Sequence, residues 1–265
     1  LIRCKDCGFV FSKWAPTVSD LNEYYADYPR HPSISEITRA RYNEILDMFE
    51  SHRELNRILD IGCSSGFFLE EAQKRGWDVY GTEVSDVSIE NGTSKGFKML
   101  KGKMSEITTQ PGFFDAITNF EVIEHINYPN EEAKAIHNAL RPGGVLYLTT
   151  PNYKALSKTI LGNKWNMVEY PEHLSYYTKQ SLSELFIENG FKVLSLRTTG
   201  ISVTRFKESM KGQNHDDISE HPDEKLRSRV ERWRILRISK TSANRALSLL
   251  NKGDTLKMLA QKVSN

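Results

Sequence analysis

An α/β fold built on a doubly wound, Rossmann-like sheet is what this sequence predicts, and three observations carry the prediction. The first is Ile58-Leu59-Asp60-Ile61-Gly62-Cys63-Ser64-Ser65-Gly66-Phe67, a short apolar run and a turn of small residues, followed by a helical pattern to residue 75. The second is a further apolar run, residues 79–81, that ends on an acidic side chain, Glu83. The third is the alternation of short apolar runs with helical stretches through the middle of the chain, the pattern of a parallel sheet. Gly62 and Gly66 let the turn adopt backbone angles closed to other residues, and the helix starting near Phe67 aims its free N–H groups at a ligand. An acid at the end of the second strand is where a ribose diol is held, so the unit suits an adenosine. A dinucleotide fingerprint would need glycines at 64 and 67, where the chain has Ser64 and Phe67, and this argues against NAD.

The remaining elements follow in order. Cys4-Lys5-Asp6-Cys7-Gly8 is a Cys-x-x-Cys-Gly knuckle, which reads either as a β-turn with two free thiols or as half of a tetrahedral zinc site. Residues 20–28, with Tyr24, Tyr25 and Tyr28, read as an aromatic-rich helix ahead of the break Pro29-Arg30-His31-Pro32. Ser35 caps a helix over residues 35–49, whose Ile37, Tyr42, Ile45, Leu46 and Phe49 share one face. After Glu83 a helix is expected over 84–96 and a strand over 98–102. A buried strand is expected over 113–120, a helix over 131–140 stopped by Arg141-Pro142-Gly143-Gly144, and a strand over 145–150. Residues 181–189 read as a helix closed by Gly190, 191–197 as a strand, and 254–260 as the last strand. Between these last two, residues 198–251 are polar and helical. Lys225, Arg227, Arg229, Arg232, Arg234, Arg237, Lys240 and Arg245 accumulate there, either as a solvated face or as a site for an anionic substrate.

With 265 residues the chain forms one sizeable domain with an appendage, or two small ones. A formal charge of +2 gives no global field for nucleic acid or membrane. There is no apolar run near membrane-spanning length and no signal-peptide pattern, so a soluble cytoplasmic protein is expected, and three cysteines make no even disulfide framework. The chain begins at Leu1 rather than Met, which is the expectation for a fragment.

The turn resembles the Asp-x-Gly-x-Gly-x-Gly motif of class I S-adenosylmethionine-dependent methyltransferases: Asp60, Gly62 and Gly66 match, and Ser64 replaces the middle glycine. The series that follows is similar to the branch containing ubiquinone-biosynthesis O-methyltransferases and many sugar and natural-product methyltransferases. It runs Phe114-Asp115, Glu121-Val122-Ile123-Glu124-His125, Leu140-Arg141-Pro142-Gly143-Gly144, Pro151-Asn152 and Glu172-His173-Leu174. That resemblance covers roughly residues 43–200. It implies seven strands with the last inserted antiparallel, a methyltransferase domain over 35–265, and an insertion over 198–251 near the substrate mouth. Residues 1–34 become a knuckle and aromatic linker, with a first Cys pair of a zinc ribbon upstream of Leu1.

By the same resemblance the cofactor is S-adenosylmethionine, with S-adenosylhomocysteine as product. Asp60, Gly62, Cys63, Gly66 and Phe67 line its methionine side, Glu83 and Val84 its ribose, Met104 and Ser105 its adenine, and Asn119, Phe120 and Glu121 its sulfonium. Lys103 stands where relatives often have an acid for the adenine amino group. His125 and His173 are candidates for the base that deprotonates a hydroxyl, because a neutral imidazole suits that task near pH 7. Glu121, Glu124 and His125 would share one face of a helical turn and, with His173, resemble the metal-binding constellation of small-RNA 3′-end 2′-O-methyltransferases, suited to Mg²⁺, Mn²⁺ or Zn²⁺. The reading is therefore O-methylation of a hydroxylated small molecule, a sugar or natural-product intermediate, with an anionic acceptor as one version. The rivals are RNA methylation and a non-catalytic binding module on the same scaffold, and oligomeric state is not legible.

Overall fold

The computed structural model describes residues 1–14, 16, 33–168, 172–200 and 246–263. The aromatic stretch 20–28 and the basic run 225–245 therefore lie outside the described residues. A seven-stranded sheet has the order β5-β4-β3-β6-β7-β10-β9. Its strands are β3 (Arg57–Ile61), β4 (Asp78–Glu83), β5 (Lys98–Lys101), β6 (Phe114–Phe120), β7 (Leu140–Pro151), β9 (Phe191–Thr199) and β10 (Thr255–Lys262). β3, β4, β5, β6 and β7 pair in parallel, and β10 runs antiparallel to both β7 and β9. The last strand thus lies between the two that precede it in sequence, as expected.

Helices cover both faces because the central strands are apolar on both, the condition under which a parallel sheet must be sandwiched. α1 (Glu36–Glu50) is capped by the Ser35 hydroxyl, which accepts from the Thr38 N–H, and buries Ile45, Leu46 and Phe49. α2 (Phe67–Lys74) follows β3, α3 (Asp86–Ser94) follows β4, α4 (Pro129–Ala139) follows β6, and α6 (Lys179–Glu188) leads into β9. α5 (Leu156–Leu161), a short helix after β7, was not anticipated.

Two motif pieces prove to be braces. Asp115 is fully buried, accepts from the N–H groups of Leu55 and Arg57, and pairs with Arg141 Nε at 2.6 Å, tying the start of β3 to β6 and β7. Asn152 donates to the carbonyls of Asn251 and Gly253 and so secures the entry to β10.

A second, three-stranded sheet joins β1 (Ile2–Arg3), β2 (Val10–Phe11) and β8 (Ser175–Tyr176). Val10 lies opposite Tyr176, Phe11 opposite Ser175, and the Ser12 N–H donates to Leu174. The cysteine knuckle is the tip of this hairpin, bound to the segment that carries His173.

Candidate functional site

The carboxyl edge of β3 and β4 is shaped by the backbone. Gly62 and Gly66 have φ of 65° and 75°. Ser64 is also left-handed, at φ 47°, so the residue standing where the motif has glycine still adopts glycine's conformation, at a cost of about 1 kcal/mol. Side chains cannot be added here: a Cβ on Gly62 would lie 2.7 Å from Val122, and one on Gly66 2.5 Å from Phe97. Glu83, at the end of β4, accepts from the N–H groups of Ser64 and Val84, each at 2.9 Å, which holds its carboxylate over the turn.

Asp60 is 3 % exposed and accepts from the Thr118 hydroxyl at 2.7 Å. Burial, with the nearby charge of Glu83, pushes its carboxyl up to about 7. A buried acid and a half-buried one beside a turn of left-handed residues suit a cationic ligand held against main chain, and S-adenosylmethionine, with its sulfonium and ammonium, fits that description. Cys63 presents its main chain to the turn, while its sulfur packs into the sheet against Gly81 and burial raises its thiol. Phe67 opens α2 with the Lys95 ammonium 5.3 Å from its ring.

Met104 and Ser105, expected beside the adenine, have their amides engaged within the protein. Met104 is 1 % exposed and part of the core, and the Met104 and Ser105 N–H groups both donate to Glu132, a fully buried carboxylate on α4. Those two amides close the loop onto the domain. Burial raises the Glu132 carboxyl, and nothing in its helical context signalled this role.

The carboxyl edge of β6 gathers side chains. Asn119 is fully buried, its oxygen accepts from the Ile123 N–H, and its amide nitrogen has no hydrogen-bond partner. Phe120 packs on Tyr42, Phe68 and Tyr147. A single tight turn, Ile123–His125, then delivers Glu124 and His125. The expected helical face is not formed, because Glu121 turns left-handed at φ 55° before that turn begins. Glu124, His125 and His173 offer donor atoms all within 4.8 Å of one another, and Glu121 is not in that group. Its carbonyl lies beside the His125 ring, while its carboxylate acts on Tyr147 and Lys257.

His125 and His173 meet edge to face at 4.9 Å. Each is oriented through Nδ1, His125 by the Glu172 carbonyl and His173 by the Met167 carbonyl, both at 2.8 Å. A carbonyl only accepts, so Nδ1 carries the proton and Nε2 the lone pair. Burial, followed by His173, lowers His125 to about 4, so it is neutral at pH 7. Glu124 is 2 % exposed and accepts from the Thr150 hydroxyl at 2.9 Å. Two imidazoles and a carboxylate form a donor set that also suits a divalent cation. At the hairpin tip, Cys4 and Cys7 are free thiols, and backbone N–H groups, first that of Cys7, lower the Cys4 thiol. Among the described residues no third ligand joins them.

Known proteins agree with this architecture. A family model described as a methyltransferase domain matches residues 35–196. A ubiquinone biosynthesis O-methyltransferase of Azoarcus sp. is 26 % identical over 57 % of this chain and 71 % of its own length. One of Nitrosococcus oceani is 29 % identical over 48 % of this chain, and the match spans 58 % of that relative's length. Among solved structures, a SAM-dependent methyltransferase of Archaeoglobus fulgidus superposes with TM-score 0.58 at 18 % identity, covering 86 % of this chain and 94 % of that one. The [4+2]-cyclase SpnF does so with the same score at 16 % identity, covering 95 % and 98 %. Among the described residues no helix is long and apolar enough to cross a membrane. With the matched family spanning well over half its length, and with the glycine turn, the acid ending β4 and the inserted antiparallel strand all in place, the chain belongs to the methyltransferase-domain family of class I S-adenosylmethionine-dependent enzymes.

Proposed function

We propose that the chain methylates a hydroxyl group of a small molecule, such as a sugar or natural-product intermediate. The observation that carries this is the pair of half-buried His125 and buried His173 beside Glu124 at the carboxyl edge of β6, where open α/β sheets bind ligands. The ubiquinone O-methyltransferase relatives support oxygen as the acceptor atom.

When bound, S-adenosylmethionine supplies an electrophilic methyl group on a sulfonium. Gly62, Ser64 and Gly66 hold its amino-acid end against main chain, Asp60 opposes its positive charge, and Glu83 accepts from the ribose hydroxyls. The residues at the carboxyl edge of β6 would hold an acceptor oxygen against that methyl group. The proton that oxygen loses passes to an Nε2 lone pair of the histidine pair. Neutral His125 is ready for this at pH 7, and the Nδ1 contacts fix the orientation of both rings. The donor set Glu124, His125 and His173 would hold a divalent cation, whose chemistry is to lower the pKa of the acceptor hydroxyl. That donor set is also the one observation favouring RNA 3′-end methylation.

The test is calorimetric titration with S-adenosylhomocysteine, followed by transfer of a labelled methyl group to hydroxylated acceptors and their amino counterparts. Cofactor binding with methylation of the hydroxyl series is the expected result. Methylation of amines alone would overturn the oxygen assignment, and absence of cofactor binding by folded protein would return the chain to a binding scaffold.

A further inference from the structure

One row of residues across the sheet is unusual. Phe120 on β6 lies opposite Thr149 on β7, Thr149 opposite Lys257 on β10, and Lys257 opposite Arg197 on β9. Two cations are therefore direct cross-strand neighbours, an arrangement that costs stability. Arg41, on α1, adds a third positive charge to the same neighbourhood: it acts on both Lys257 and Tyr147, as do Arg197 and the carboxylates Glu44 and Glu121. Those two acids offset the three cations only in part. No cation of the three is ion-paired among the described residues, although the surface elsewhere is rich in pairs such as Arg75–Asp47 and Lys101–Asp86.

Arg197 reaches solvent, while Arg41, Lys257 and the aromatic side chains beside them are partly or wholly buried. Lys257 is partly buried, and burial, reinforced by Arg41 and Arg197, lowers its ammonium to about 8. Tyr147 is 5 % exposed, and with Tyr42 and Phe120 it forms an aromatic wall beside the row. Phe120 is the last residue of β6, so the cations sit on the acceptor side of the carboxyl edge, with Glu121 between them and the histidine pair.

We propose that Arg41, Arg197 and Lys257 form a subsite for an anionic group, a carboxylate or phosphate, carried by the methyl acceptor. The subsite rests on the acceptor reading above, and it narrows the substrate class to hydroxylated acids or phosphates. An anion bound there offsets the repulsion between the opposed cations Lys257 and Arg197.

The test uses the 265-residue chain loaded with S-adenosylhomocysteine and two probes, benzoate and inorganic phosphate, with thermal unfolding followed at low ionic strength. A saturable rise in Tm with one probe is expected, and the more effective probe identifies the anion. In Lys257→Met and in Arg197→Met the apparent affinity for that probe falls at least tenfold, while S-adenosylhomocysteine affinity stays within twofold of the parent. No saturable response, or an equal response in the variants, would overturn the subsite. Failure of the parent chain to bind S-adenosylhomocysteine would instead count against the enzyme reading, and the two failures are distinguishable because the probes can be titrated without cofactor.

Discussion

The two halves of the carboxyl edge are built from different materials. On the side of β3 and β4 the site is main chain: left-handed residues at 62, 64 and 66, amides held by Glu83, and two acids with little exposure. On the side of β6, β7, β10 and β9 it is side chain: imidazoles, a buried carboxylate and neighbouring cations. The charges are opposite as well, acidic where a cationic cofactor would lie and basic where an acceptor would enter. A cofactor common to a whole family can be held by a backbone shape, whereas an acceptor peculiar to one enzyme must be recognised by side chains that change without disturbing the sheet.

The widest gap between the halves should come from the histidines. His125→Asn and His173→Asn are expected to lower kcat roughly 10²–10⁴-fold with S-adenosylhomocysteine affinity nearly unchanged, read by turnover and calorimetry on the same preparations. A matching loss of cofactor affinity would dissolve the division. Glu83→Ala should do the reverse, weakening cofactor binding roughly tenfold to a hundredfold, since a charged acceptor of hydrogen bonds is removed.

Asp60 joins stability to binding. Its carboxyl is raised in the folded chain, so the folded state holds that proton more firmly than the unfolded one, and stability falls as pH rises from about 4 through about 7. Asp60→Asn should therefore stabilise the cofactor-free protein above pH 7, by on the order of 4 kcal/mol, and not at pH 4. The same variant should lose the preference for S-adenosylmethionine over its uncharged-sulfur product that the parent gains as pH rises through 7. A variant no more stable than its parent at pH 8 would mean that Asp60 is ionised and matched already. The smallest effect belongs to Ser64→Gly: relief of the left-handed serine should stabilise by about 1 kcal/mol or less, with cofactor affinity retained.

Much of this was legible because it is local. Gly62 and Gly66 announce their turn through the backbone angles that only they take freely, and Glu83 stands one short strand away. Asp115 and Asn152 belong to recognisable motifs, yet their work as braces emerges only where β3, β6, β7 and β10 come together. The engagement of the Met104 and Ser105 amides was not legible, because their partner, Glu132, lies 28 residues from Met104 along the chain and reaches them only through the packing of α4. Glu121 was grouped with Glu124 by helical spacing, and a single left-handed residue separates them.

The sequence by itself determined the sheet, the cofactor turn and the candidate histidines, since apolar periodicity, glycine placement and the Glu-His pairs are properties of neighbours in the chain. Tertiary structure alone decided that His125 meets His173, that the cysteine hairpin is bound to β8, and that Lys257 faces Arg197 across two antiparallel strands. Those are contacts between segments far apart in sequence. Their register is set by which faces the core buries, and no single stretch of the chain contains that information.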